Sequence, residues 1–151
     1  MENTLNLEDI LNEWKVDSQI EFNKLDVSSH KTPELHAKYL ELYANAKLKL
    51  KDIEFKQQML LKDKWLYYNG KMSQESVVKK GWNPDPFDGL KILKGEMEYY
   101  YNSDPEIQTS EAKIAYAKET IDTLKEILDH IKWRHSTIKN MLDWKKFEAG
   151  F

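Results

Sequence analysis

Nine residues towards the C-terminal end, Ile114, Ala117, Ile121, Leu124, Leu128, Ile131, His135, Ile138 and Leu142, recur at alternating intervals of three and four. That interval returns each side chain to one face of an α-helix, so the stretch is predicted to be a single long helix with an apolar seam interrupted by one polar member, His135. A seam this narrow packs against similar helices, either a partner within the chain or another copy. Charged residues make up 32% of the chain and other apolar elements are few. On that ground self-assembly is the favoured reading, with Ile121, Leu124, Leu128, Ile131, Ile138 and Leu142 as the oligomerisation residues. The alternative, a hairpin that buries the seam within one chain, remains open.

Two further helices are expected upstream. Leu7 to Ile20 carries Leu7, Ile10, Leu11 and Trp14 on one face, and Asp26 to Lys31 reads as a linker. Thr32-Pro33-Glu34 then has the composition of a helix start, with a hydroxyl to cap, a proline where no amide proton is needed and a carboxylate to complement the dipole. From there Leu35, Tyr39, Leu42, Ala46, Leu50 or Ile53, and Leu60 keep helical spacing until Asn69-Gly70, a natural stop.

Between Lys71 and about Gln108 the periodicity dissolves. Three of the five glycines and three of the four prolines lie there, and Asn83-Pro84-Asp85-Pro86 is pushed out of the helical region. Met97 to Tyr101 fits a short strand or edge ribbon. The expected fold is therefore mainly α, with long amphipathic helices, a loop-rich middle and a C-terminal heptad helix. The expected organisation is an N-terminal helical region at 1–108 and an oligomerisation helix at 109–151.

Several chemistries have no support in the residues. With no cysteine there is neither disulfide nor thiolate metal site. The four histidines lack ligand spacing, and His130 and His135, five apart, diverge on a helix. Gly70-Lys71-Met72-Ser73 lacks the upstream glycine of a phosphate loop. Nothing resembles a nucleophile elbow, so no enzyme activity, cofactor or metal is expected. Glu2, Glu8 and Asp9 occupy the region where a secretory signal would be basic and apolar, and no run approaches the ~20 apolar residues of a membrane span. A soluble intracellular protein is expected.

The net charge of −3 hides a segregation. Lys47 to Lys71 holds seven lysines against Asp52, Glu54 and Asp63, and Lys132 to Lys146 holds five basic residues against Asp143, so each stretch is +4 on an acidic remainder. Within the first lies Leu60-Leu61-Lys62-Asp63-Lys64-Trp65-Leu66-Tyr67-Tyr68-Asn69-Gly70-Lys71. Lysines running into three aromatics suit single-stranded nucleic acid, because cations neutralise phosphates and flat rings stack on unpaired bases. Lys56, Lys62, Lys64, Tyr67, Tyr68 and Lys71 are the candidate DNA-binding residues. The competing interpretation is a helical scaffold with no nucleic-acid role, its aromatics in the core and its lysines solvated.

This window resembles the Leu-Lys-x-basic-x-x-Tyr-Tyr-x-Gly-basic stretch of the UvsY recombination mediators of T-even-like phages. Phe147-Glu148-Ala149-Gly150 is similar to the end of that family, and Leu7-Glu8-Asp9 to its early helix start. The resemblance implies a protein that binds single-stranded DNA, contacts the single-strand-binding protein covering it and helps a strand-exchange recombinase nucleate a filament there. It implies a ring-like homo-oligomer held through its C-terminal region, working in the cytoplasm of the infected host cell. It also implies that two basic residues of the motif contact DNA, which by position are Lys62 and Lys64.

Overall fold

The computed structural model describes residues 5–151. Glu2, one of the acidic residues noted above, lies outside them. The fold is mainly α, and the described residues contain no strand. Helix α1 spans Leu7–Asp17, α2 Leu25–Tyr68, α3 Gln74–Lys79, α4 Met97–Asn102 and α5 Pro105–Glu148, with a 3-10 turn at Lys94–Glu96 before α4.

Helix α1 starts from a capping box in which Asn6 Oδ1 accepts from the Asp9 amide at 2.8 Å and the Asp9 carboxylate accepts from the Asn6 amide at 3.4 Å. It ends at Asp17 rather than Ile20. The Asp17 carboxylate accepts from Lys38 Nζ at 2.6 Å and from the Tyr39 hydroxyl at 2.9 Å, with Lys31 at 3.6 Å. Burial works to raise the Asp17 carboxyl, but those hydrogen bonds and charges outweigh it and hold the group below the usual carboxylate range.

Helix α2 corrects the expected linker. It begins at Leu25, and Thr32 and Pro33 lie inside it. An interior proline removes one helical hydrogen bond and crowds the preceding turn, a cost of about 3 kcal/mol that must be offset elsewhere. The offset is tertiary. Leu25 and Ser28 are buried, and the Ser28 hydroxyl accepts from the Glu21 amide at 3.1 Å. The Arg134 guanidinium of α5 donates to Thr32 Oγ1 at 3.1 Å, the Ser28 carbonyl at 3.2 Å and the Ser18 carbonyl at 3.4 Å. Thr32 is thus an acceptor in the helix body and not its cap.

The chain forms two compact units, and the division does not follow a boundary at 108. One comprises the chain up to Leu48 together with Ala117–Phe151, and the other comprises Lys49–Tyr116. In the first, Ile10, Leu35, Tyr39, Leu124, Ile127, Leu128 and Ile131 make the core, with Leu5, Trp14, Leu42, Tyr43 and Ala46 packed on it. The Trp14 ring meets Tyr39 edge-on at 5.3 Å and His130 at 5.6 Å.

This core consumes most of the seam assigned above to oligomerisation. Leu124, Leu128, Ile131 and Ile138 are buried within the chain itself, while Ile121 is partly buried and Leu142 is the outward member. Helix α1 and the first half of α2 supply the cover. The register also differs. His135 is exposed, and the inward positions run Thr120, Leu124, Ile127, Ile131, Arg134 and Ile138. A straight helix drifts by about 20° per heptad against a seven-residue repeat, so the buried face moves off the apolar seam and onto a threonine and an arginine.

In the second unit α2 stops at a Schellman arrangement. Gly70, at φ 68°, donates to the Tyr67 carbonyl at 3.2 Å and Lys71 to the Leu66 carbonyl at 2.9 Å. The middle of the chain is less loop-rich than expected. Ser73 caps α3 by accepting from the Ser76 amide at 3.2 Å. Met97–Asn102 is helix α4 and not a strand or ribbon. Its three tyrosines have strand propensity, but on a helix they diverge usefully: Tyr100 meets Phe87 at 5.0 Å, Tyr101 meets Tyr68 at 6.4 Å, and Tyr99 faces solvent.

Leu128→Glu tests the seam's new assignment. It should abolish the cooperative helical melt, because it buries an unpaired carboxylate in the chain's own core. A folded but dissociated variant in circular dichroism and sedimentation would return Leu128 to an intermolecular seam.

Candidate nucleic-acid interface

The helical phase of α2 divides the aromatic-basic window into two sets. Lys64 and Tyr67 are buried and Tyr68 is partly buried, whereas Lys62, Trp65 and Lys71 are exposed. Three residues apart means nearly one full turn, so Lys64 and Tyr67 share a face while Lys62 and Trp65 share another.

The inward set is held by the start of α5. Asp104 Oδ1 accepts from the Glu106 amide at 2.9 Å and the Ile107 amide at 3.2 Å, capping the helix ahead of Pro105. Its second oxygen, Oδ2, takes Lys64 Nζ at 2.9 Å and the Tyr68 hydroxyl at 2.6 Å. Lys64 also lies 3.4 Å from Glu106 Oε1 and 4.0 Å from the centroid of the Trp82 ring. Trp82 Nε1 donates to the same Glu106 oxygen at 2.7 Å, and the Tyr67 hydroxyl donates to the Asn83 carbonyl at 2.5 Å. The side chains of Lys64 and Asp104 are 5% and 3% exposed, so this ion pair is withdrawn from water and from any ligand in solution.

Electrostatics follow from that burial. It raises the Tyr68 phenol, and the hydrogen bond to Asp104 raises it further. Tyr67 is raised by burial and then by the negative charges of Asp104 and Asp85. For Asp104 burial acts upward, but bonds from Tyr68, Lys64 and the Ile107 amide prevail and keep its carboxyl below the usual range.

The outward set is open. Lys62 has a side chain 70% exposed, with Asp63 no nearer than 3.8 Å. Asp63 itself pairs more closely with Lys80, at 3.1 Å. Lys71 Nζ sits 4.7 Å over the exposed Trp65 ring, whose backbone carbonyl accepts from Asn69 at 2.7 Å. Lys56 is exposed and paired with Asp52 at 2.8 Å on its own helix. Of the expected DNA-binding residues, then, Lys56, Lys62 and Lys71 reach solvent, whereas Lys64, Tyr67 and Tyr68 are committed inside the unit. In the second basic stretch Arg134 is likewise buried, and Lys145 lies 5.0 Å over the Phe22 ring.

Asp104 and Glu106 are not among the residues to which the sequence points. Asp104-Pro105-Glu106 nevertheless carries the same cap, proline and carboxylate signal that was credited at Thr32-Pro33-Glu34. No described group of histidines and carboxylates is arranged to hold a metal, and no described helix is long and apolar enough to cross a membrane.

Comparison with known proteins identifies the family. The model of the recombination, repair and ssDNA binding protein UvsY matches residues 13–151. The chain belongs to the UvsY family. Recombination protein UvsY of Enterobacteria phage T4 is 27% identical over 146 residues, covering 97% of this chain and 99% of that protein. The lattice type II crystal structure of the bacteriophage T4 recombination mediator protein UvsY superposes with a TM-score of 0.76 at 26% identity, over 96% of this chain and 98% of that one. The lattice type I structure gives 0.75 at 26% identity, over 93% and 98%. A fold shared with UvsY at this level extends through both long helices.

Two outcomes test the division of the window. Lys64→Ala leaves Asp104 buried without its cation and should cost about 3–5 kcal/mol in urea unfolding, while Lys62→Ala, at an exposed position, should stay within about 0.5 kcal/mol. The second outcome concerns acid. Because the folded Asp104 carboxyl lies below its unfolded value, its contribution is complete above about pH 4 and is lost as the pH falls through the folded value. Asp104→Asn should remove part of that acid dependence, and a melting temperature equally acid-sensitive in the variant would assign the dependence to other carboxylates.

Proposed function

We propose that this chain is a recombination mediator that binds single-stranded DNA and helps a strand-exchange recombinase load onto strands covered by single-strand-binding protein. The observation that carries the reading is family membership over residues 13–151 combined with solvent-facing cations and a solvent-facing ring at the end of α2. Lys56, Lys62 and Lys71 supply the phosphate contacts at that end. Lys64, Tyr67 and Tyr68 act from within, by holding the helix that presents them.

The protein works without catalysis of its own, binding neither cofactor nor metal, and its contribution is to shift a competition for the strand. Its setting is the cytoplasm of an infected host cell. Its partners are the strand, the recombinase and the coating protein.

Assembly into a ring-like homo-oligomer supports this role. One subunit with a few phosphate contacts binds in the ~0.1 mM to ~1 µM range of non-specific association, and linked copies on one strand gain ~100-fold or more. With Leu124, Leu128, Ile131 and Ile138 occupied internally, the large apolar side chains exposed on α5 beyond Leu128 are Trp133, Leu142, Trp144 and Phe147. Trp144 and Phe147 pack at 5.6 Å in a tilted arrangement and remain 55% and 70% exposed. That aromatic end is the favoured contact between copies, consistent with a C-terminal interface.

Affinity for a labelled oligonucleotide, single-stranded against duplex over a salt series, tests the reading. The expected result is a preference for the single strand, with affinity falling as salt rises. Lys62→Ala should reduce the slope by about 0.7, the value of one neutralised phosphate on a single strand. Equal binding to duplex, or affinity insensitive to salt, would refute it. ATP turnover by a clean preparation would refute the non-catalytic part, and a Trp144→Glu variant that sediments as the wild type would move the interface elsewhere.

A further inference from the structure

On the outward side of α2 a second pattern runs upstream from Trp65. Lys51, Phe55, Gln58, Lys62 and Trp65 are spaced four, three, four and three apart, which confines them to about 80° of the helix circumference. Phe55, Lys62 and Trp65 are exposed, and Lys51 is too. The two rings are each accompanied by an ammonium group: Lys51 Nζ lies 5.4 Å from the Phe55 centroid, and Lys71 Nζ lies 4.7 Å from that of Trp65. Phe55 is 54% and Trp65 48% exposed, so about half of each residue is open to solvent.

Exposed apolar side chains are ordinary on a surface, and what marks this row is that each of its rings stands beside an ammonium group. A purely apolar partner does not match this row, since cations and an amide alternate with the rings. No carboxylate interrupts the row itself. The nearest are Glu54, 3.8 Å from Lys51, and Asp63, 3.8 Å from Lys62, the latter engaged more closely by Lys80. The row therefore presents positive charge and aromatic faces in alternation, the complement of a single strand's phosphates and bases. Phe55 and Trp65 are separated by ten residues, a rise of about 15 Å, so the two rings meet different nucleotides of one strand.

We infer that single-stranded nucleic acid runs along this face of α2, with bases stacking on Phe55 and Trp65 and phosphates meeting Lys51, Lys62 and Lys71. The inference rests on the single-stranded-DNA reading above and extends it to a track some four helical turns long, centred on the exposed face rather than on the Tyr67-Tyr68 pair. Lys64 is a positioning residue for the track. Its bond to Asp104 turns the opposite face of the helix inward and so leaves Phe55, Lys62 and Trp65 facing solvent.

The test uses the full chain, fluorescence anisotropy with a labelled oligothymidylate and a salt series. Phe55→Leu with Trp65→Leu removes both rings while keeping apolar bulk and helix propensity. It should lower affinity about 25-fold or more, at about 5-fold or more for each base that loses its stack, and leave the salt slope unchanged. Phe55→Trp with Trp65→Phe exchanges the rings and should retain near-wild-type affinity. Lys51→Gln with Lys62→Gln should reduce the slope by about 1.4, whereas Lys139→Gln with Lys146→Gln on α5 should leave it unchanged. If the leucine variant binds the strand as tightly as wild type, or if the α5 pair carries the slope, the track is overturned while the broader reading stands. Wild-type protein that fails to bind the oligonucleotide overturns that broader reading instead. Polyglutamate of matched charge that displaces the strand equally well from the wild type and the leucine variant would overturn the stacking and assign the face to an acidic polypeptide.

Discussion

The buried ion pair between Lys64 and Asp104 fixes how the second unit is arranged. Two charges withdrawn from water are expensive, and an apolar pair of similar volume can be equally stable, so the pair is weak evidence of strength. What it contributes is a unique phase. Asp104 is saturated on all sides by the Lys64 ammonium, the Tyr68 hydroxyl and the amides of Glu106 and Ile107. Any rotation of α2 about its axis would strip Asp104 Oδ2 of both Lys64 and Tyr68 and leave a buried carboxylate without its cation. Trp82 and Glu106 reinforce the same point by sharing the Lys64 ammonium and an indole hydrogen bond.

That constraint separates two jobs within one short sequence. The residues that hold the helix and the residues that face outward alternate at helical spacing, so neighbours in sequence have opposite fates. Lys62 and Lys64, two residues apart, lie about 160° apart around the helix, and that angle places one in solvent and the other in the interior. A lysine at the inward position is useful because its long stem can cross apolar surface while its ammonium reaches Asp104. The outward positions carry charge and flat area into solvent.

The first unit applies the same device with an arginine. Arg134 spreads three hydrogen bonds over Thr32, Ser28 and Ser18, using the fork of its guanidinium to tie α5 to the turns around Pro33. Asp17, Lys38 and Tyr39 make a second polar tie between α1 and α2. Long helices with modest apolar faces leave their relative rotation weakly specified, and these directional contacts specify it. They also account for the fate of the leucine-isoleucine seam, which is covered by α1 and α2 once those helices are held in place. The aromatic side chains at the far end of α5 are left outside.

Much of the local structure was legible in the residues. The two long helices, the stop at Asn69-Gly70 and the irregular stretch around Asn83-Pro84-Asp85-Pro86 follow from spacing, glycine and proline, which act through the backbone of a few residues. The Thr32-Pro33 start misled because a local signal can be overridden, here by Arg134 from a helix about a hundred residues away. The tyrosine run at Met97 to Tyr101 misled because strand propensity yields to separate aromatic contacts available only in the fold. The sequence by itself determined which segments are helical and where cations and rings are concentrated. Only the tertiary structure decided which lysine of the pair is buried and whether the C-terminal seam faces the chain's own core, because both depend on the rotation of one helix against another and on polar partners distant in sequence.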